Sequence, residues 1–305
     1  LPGFAADAEA AGRGCVVGGT CWDFANLKWP EEGLDLLVVD EAGQFSVANT
    51  VAVARAARRL LLLGDPQQLP QVSKGRHPEP AVAGSALRWL ADGHDVLPGH
   101  LGYFLPASHR MHPALADAVS HLAYEGRLGA HPAAAERRLE GVEPGVHQVL
   151  GPHEGRSVSA PEEAAEVVRQ VRALVGRRWN PGGGRPERPL APSDVLVVAA
   201  YNAQVWTVRR ALDAAGLGGV EVGTVDLFQG REAAVVILTL AASAPDDVPR
   251  GMRFLLSRNR INVAVSRGQW CALVVRSPRL TDYLPRSVTE LEQLGAFLRL
   301  TGSSR

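Results

Sequence analysis

The stretch Leu36-Leu37-Val38-Val39-Asp40-Glu41-Ala42-Gly43-Gln44 decides the fold. Four consecutive aliphatic residues suit a parallel strand covered on both faces, because a half-exposed strand would alternate. The run stops on two adjacent carboxylates, so Asp40 and Glu41 stand at the strand's carboxyl end. In open α/β sheets that end is where ligands bind. A strand followed by an ordinary polar turn reads the same way, so the pair needs company. It comes in Leu60-Leu-Leu-Leu-Gly64-Asp65-Pro66-Gln67-Gln68-Leu69-Pro70, a second apolar run closed by a turn. Gly64 permits a tight turn. The Gln68 amide can donate to a phosphate and accept from water. The two strand ends make two walls of one site.

Working outward, Val195–Ala199, Val235–Leu240 and Ala272–Val275 read as further buried strands. Between the strands lie helical patterns at Pro113–Tyr124, Pro161–Val175, Ala203–Ala215, Ser257–Ser266 and Thr289–Leu300. This alternation predicts an α/β fold, a parallel sheet with helices on both faces. Two stretches interrupt it. One runs from Lys74 to Gly84. The other, Trp179–Ser193, holds Gly182, Gly183, Gly184 and four prolines and reads as a surface loop or insertion.

The 305 residues are 46% hydrophobic and 21% charged, the composition of a chain that can bury a core. A formal net charge of zero leaves little long-range attraction to nucleic acid, though not to a local basic track. Cys15, Cys21 and Cys271 have no paired metal spacing and read as reduced thiols, which points to the cytoplasm. No apolar run reaches the ~18 residues of a membrane span. Lys and Arg total 32, yet Lys28 and Lys74 are the only lysines. Neither sits in Gly-Lys-Ser/Thr, so these 305 residues hold no complete phosphate-cradling P-loop.

Taken together the blocks resemble superfamily 1 helicases, and their Upf-like, 5′→3′ branch in particular. Asp40-Glu-Ala-Gly-Gln44 and Gly64-Asp-Pro-Gln-Gln-Leu-Pro70 are similar to that family's motifs II and III. Ser108-His-Arg-Met-His-Pro113 resembles its Gln-Tyr-Arg-Met-His-Pro block, and Val198-Ala-Ala-Tyr201-Asn-Ala-Gln204 its Pro-Tyr-x-x-Gln block. Val222-Gly-Thr224-Val-Asp226-Leu-Phe228-Gln229-Gly230-Arg-Glu232 resembles motif V, and Asn259-Arg-Ile-Asn-Val-Ala-Val-Ser-Arg267 motif VI. Gly18-Gly-Thr20 is similar to the short nucleic-acid-contacting block before motif II. Seven blocks in family order span residues 18 to 267. The details look most like bacterial helicases fused to a RecB-like nuclease domain.

The resemblance implies two RecA-like P-loop NTPase domains with ATP and Mg2+ in the cleft between them. Asp40 would hold the metal through its water shell, and Glu41 would orient or deprotonate the attacking water. Gln68 would join the catalytic set, with Gln44, Gly64, Asp65, Gly230 and Glu232 around the nucleotide. Arg110 and Arg267 match the two arginine-finger positions. A guanidinium there is always charged and can neutralise developing phosphoryl charge. Thr20, Tyr201, Asn202, Gln204 and Thr224 match positions on the nucleic-acid face, where hydroxyls and amides bind phosphates without reading sequence. Tyr201 either stacks on a base or packs under its loop. His112 reads as a hydrogen-bonded structural histidine. His109 stands where the family often has tyrosine.

The resemblance also divides the chain. Residues 1–100 match the back half of a first RecA-like domain without its P-loop, and residues 101–305 a complete second one. The expectation is the C-terminal part of an ATP-dependent helicase on single-stranded nucleic acid, DNA before RNA. A missing N-terminal part of the same protein would be its partner, with the nuclease domain beyond. Alone, the chain would lack ATPase activity. The alternative is a degenerate, non-catalytic nucleic-acid or protein-binding module.

Overall fold

The computed structural model describes residues 1–69 and 78–302. Pro70 of the second strand-end block and the Lys74 end of the first break lie outside them. The chain divides into two compact units, Leu1–Tyr103 and Phe104–Arg305.

In the first unit, β1 (Leu37–Val39) leads through a 3-10 turn (Ala42–Gln44) to α1 (Val47–Ala54), then β2 (Leu60–Leu62) and α2 (Ala86–Ala91). Ser46 caps α1 by accepting from the Asn49 N–H, and Ser85 caps α2 by accepting from the Arg88 N–H. β1 and β2 pair in parallel, Leu37 against Leu60 and Val39 against Leu62. One face of the pair is covered: Leu37 packs with Phe24, Trp29 and Val53, and Val39 with Ala42 and Leu87. The other face departs from the expected cover. Leu36, Val38, Leu61 and Leu63 stay 45%, 47%, 44% and 45% exposed. Their aliphatic character anticipates a packing layer that the described residues do not provide.

The second unit is built on five parallel strands. With the helices around them, the elements in chain order are α3 (Pro113–Ala123), β3 (Gly145–Leu150), α4 (Pro161–Leu174), β4 (Val195–Ala199), α5 (Asn202–Ala214), β5 (Glu221–Thr224), β6 (Ala233–Thr239), α6 (Arg258–Val265), β7 (Gly268–Arg276) and α7 (Val288–Leu300). The spatial order is β5-β4-β6-β7-β3. Every residue of β4, β6 and β7 is buried. Val195, Val197, Val235, Ile237, Cys271 and Leu273 pack on Val167, Val171, Val208 and Leu212 of α4 and α5. The alternate residues turn to the opposite face, where α3 and α6 lie against β6 and β7. This is the α/β arrangement with helices on both faces.

Two strands, β3 and β5, lie outside the expected set. The Trp179–Ser193 stretch also differs from a plain loop: Arg178–Asn180 and Arg188–Pro189 form short strands of a small antiparallel sheet with Arg138–Leu139. Strands of two or three residues are too short to carry a period. Burial pushes the Cys271 thiol up to about 12, so it is an inert core group.

Candidate functional site

In the first unit the two strand-end blocks meet backbone to backbone. The Ala42 N–H donates to the Leu63 carbonyl at 2.7 Å. A Cβ at Gly43 would lie 2.3 Å from the Asp65 carbonyl oxygen, and one at Gly64 would lie 2.7 Å from the Ala42 nitrogen. Both glycines are therefore required by close approach. Glu41 adopts a left-handed conformation, φ 52°, uncommon for a residue with a Cβ and of the kind that gathers at functional sites. Asp40 and Glu41 are exposed. The Glu41 N–H donates to Asp40 Oδ1 at 2.9 Å, which fixes the carboxylate at the strand end. Hard carboxylate oxygens facing solvent fit a Mg2+ ion that keeps most of its water. Asp65 organises the second turn: Oδ1 accepts from the Gln67 N–H at 2.8 Å and Oδ2 from the Gln68 amide at 3.2 Å. Gln44 lies half-buried at the end of the 3-10 turn.

Thr20 is elsewhere in this unit, at the start of the short Cys21–Phe24 helix. Its N–H and hydroxyl both donate to Asp23 Oδ2, at 2.7 and 2.8 Å. Those bonds hold the Asp23 carboxyl below its usual range. The hydroxyl proton is thus engaged, and Thr20 keeps only its lone pairs for another group.

In the second unit the predicted residues fall at opposite ends of one sheet. Glu232 immediately precedes β6 and Arg267 immediately precedes β7, so both mark the amino end of the strands. The pairing of β6 with β7 shifts register between Ala233 and Val235, a bulge beside these two residues. Arg110 reaches this end. Its Nε donates to Glu232 Oε2 at 2.9 Å and its Nη1 to the Ser266 carbonyl at 3.1 Å. Arg267 is buried and its Nε donates to the Val263 carbonyl at 3.1 Å. Gly230, at φ 76°, makes the turn that leads into Glu232.

Sequence reasoning missed two members of this cluster. The Gln269 amide donates to Glu232 Oε1 at 2.8 Å. Arg137 is buried, donates to the His109 carbonyl at 3.1 Å, and has no partner for Nε or Nη1 among the described residues. Burial pushes Glu232 up, but the Arg110 hydrogen bond and charge, Gln269 and Arg137 hold it below the usual carboxylate range. His112 accepts from the Ala114 N–H as the cap of α3, and its ring lies 4.7 Å from Trp270. Burial and the charges of Arg138 and Arg137 push its pKa down. His109 stacks on His131 at 4.2 Å.

The carboxyl end of the sheet carries Tyr201 and Asn202 after β4 and Thr224 at the end of β5. Asn202 is exposed and Thr224 partly so. Tyr201 packs against Phe254 at 6.0 Å with its hydroxyl enclosed. Gln204 is corrected here. It is fully buried, its carbonyl accepts from the Ala160 N–H at 2.8 Å, and its amide donates to Thr239 at 2.9 Å. Its polar atoms are engaged inside the core, so it cannot touch a strand. Behind it the Thr239 hydroxyl and the Ala241 N–H donate to Glu163 Oε2, at 2.5 and 2.9 Å. Glu163 Oε1 meets His153 Nε2 at 3.0 Å, and His153 Nδ1 meets Ser243 Oγ at 2.7 Å. This buried chain braces the loops at the carboxyl end. None of its members was legible as a group, because they converge from α4, β6 and two loops.

A five-stranded parallel sheet with helices on both faces is an α/β domain of the RecA-like kind. An AAA domain model matches residues 95–279, more than half of the chain, and another AAA domain model matches residues 12–75. The chain belongs to the AAA domain family and, within it, to the Upf-like superfamily 1 helicases. DNA-binding protein SMUBP-2 of Rattus norvegicus is 30% identical over 262 residues, 79% of this chain and 24% of that protein. 5'-3' DNA helicase ZGRF1 of Mus musculus is 28% identical over 283 residues, 86% of this chain and 14% of that protein. The chain spans about a quarter or less of the length of these relatives. The crystal structure of Arterivirus nonstructural protein 10 (helicase) aligns over 84% of this chain and 40% of that one at 19% identity, with a TM-score of 0.39.

Proposed function

We propose that this chain is part of an ATP-dependent helicase or translocase that moves on single-stranded nucleic acid, DNA before RNA. The observation that carries it is the two-ended second unit. Arg110, Glu232 and Arg267 stand at the amino end of β6 and β7, and Tyr201, Asn202 and Thr224 at the carboxyl end of β4 and β5. The seven residues of β6 put roughly 20 Å between those ends. Nucleotide chemistry at one end and strand contact at the other is what a motor needs. The similarity to a DNA-binding protein and a DNA helicase favours DNA.

In this reading Asp40 holds Mg2+ through water, and the ion supplies charge neutralisation on the phosphates. Glu41 orients and deprotonates the attacking water, with Gln68 and Gln44 beside it. Gly64 and Asp65 border the acidic turn in the first unit, and Gly230 and Glu232 border Arg110 in the second. Arg110 rests on Glu232 until a phosphate competes for it, and Arg267 is the second finger. Residues 1–100 form the back of one RecA-like domain and residues 101–305 a second. The bare Leu36–Val38–Leu61–Leu63 face would be covered by the remainder of the first domain. The phosphate cradle must also come from outside these residues, since they contain no P-loop. A RecB-like nuclease domain further upstream belongs to the same proposal.

The test is ATP turnover with and without single-stranded DNA, for the 305 residues and for the longer protein containing them. Strand-stimulated turnover by the longer protein alone is expected. Strong turnover by the 305 residues alone contradicts the need for an external cradle.

A further inference from the structure

Beside Tyr201 lies a cluster of Arg250, Phe254 and Arg260, of which only Arg260 falls within a motif block and none has been given a role. The guanidinium carbon of Arg250 sits 3.7 Å from the Phe254 ring centroid, and that of Arg260 sits 4.3 Å from the same centroid. Two guanidiniums therefore share one ring. Two like charges held this close repel, and an anion between their outer edges would relieve them. Arg250 is exposed and donates no hydrogen bond among the described residues. Arg260 is partly exposed, and its nearest carboxylate, Asp226, is 3.9 Å away, beyond hydrogen-bond range. The place is also right. Phe254 and Arg260 line a small cleft with Ala199, Ala200, Val225 and Leu240, at the carboxyl ends of β4 and β6. The Tyr201 hydroxyl is buried, whereas Arg250 is exposed and Phe254 and Arg260 are partly exposed.

We infer that Arg250 and Arg260, both held against Phe254, form a clamp for the phosphodiester backbone of a single strand. The inference rests on the nucleic-acid reading above and adds a site to it. Guanidinium edges bind phosphate oxygens whatever the base. Stacking on Phe254 removes rotamer freedom before the strand arrives, which lowers the entropy cost of contact.

The test is the salt dependence of binding to oligo(dT) and oligo(U), using Arg250→Gln, Arg260→Gln and Arg250→Lys. Arg172→Gln on α4 is a control with no assigned role, and thermal melts verify folding. Each phosphate contact on a single strand contributes a slope of roughly 0.7 in log affinity against log salt. Arg250→Gln and Arg260→Gln should each lower the slope by about that amount on both strands. Arg250→Lys and Arg172→Gln should leave it unchanged. If Arg260→Gln fails to fold, the exposed Arg250 carries the test by itself. A folded Arg250→Gln with the wild-type slope overturns the clamp and leaves the nucleic-acid reading standing. A loss confined to one of the two strands overturns the phosphate assignment. If the unaltered chain binds neither strand, the nucleic-acid reading fails and the clamp with it.

Discussion

The two sheets of this chain are written in the same pattern and reach different ends. In the second unit every residue of β4, β6 and β7 is buried, with helices on both faces. In the first unit β1 and β2 have the same unbroken aliphatic runs, yet one face of the pair stands open at Leu36, Val38, Leu61 and Leu63. The difference teaches that an apolar run encodes the burial a strand is built for, whether or not neighbouring residues supply it. It also separates two kinds of site. The first unit holds its acidic turn by glycine-mediated backbone contact. The second holds the two ends of its sheet by side-chain networks.

Four tests would break or sharpen this contrast. Glu163→Ala should have the largest effect. It leaves His153, Thr239 and the Ala241 N–H without their buried acceptor, and a loss of about 4 kcal/mol is expected in denaturant unfolding of the second unit. A loss below about 1 kcal/mol would mean that the brace is dispensable.

Next, Ile237→Ala and Leu61→Ala compare a covered strand with a bare one. The first should cost about 3 kcal/mol through the cavity it opens, the second less than about 1 kcal/mol. Equal costs would contradict the open face. Third, Gly43→Ala must move either its own turn or Asp65, because the new Cβ would meet the Asp65 carbonyl at 2.3 Å. A destabilisation of about 2 kcal/mol, read by the melting of the first unit, is the expected outcome.

The smallest effect is a titration. His112 has its pKa lowered in the folded state, so its contribution to stability is complete above the unfolded value of about 6.5. That contribution is lost as pH falls through that value toward the folded one. Melting temperature should therefore fall slightly from pH 7.5 to 5.5. His112→Asn keeps a helix-capping side chain and should flatten this part of the curve. A variant with the same acid slope would clear His112 of the effect.

The strands at the centre of the second sheet were legible because both faces are apolar. The two that were missed are its edges. β3 reads Gly-Val-His-Gln-Val-Leu and β5 reads Glu-Val-Gly-Thr, with polar residues where an edge meets solvent. The candidate sites divide similarly. Arg110, Glu232 and Arg267 could be named because each lies in an ordered block, and the fold gathers them. Gln204 lies in such a block too, but its neighbours turn it inward, and no local spacing reveals that. Gln269, Arg137, Arg250 and Phe254 depend on contacts between separate stretches of chain. α6 carries Arg260 in its first turn and ends just before Arg267.

The most direct test of the two-ended account uses the longer protein that contains this chain, with Arg110→Gln. Its kcat for ATP and its Kd for single-stranded DNA would be measured side by side. The account predicts a fall in kcat of about 10³-fold or more, the scale of an arginine finger, with Kd changed less than about two-fold. An unchanged kcat, or a loss that appears only in Kd, would contradict it.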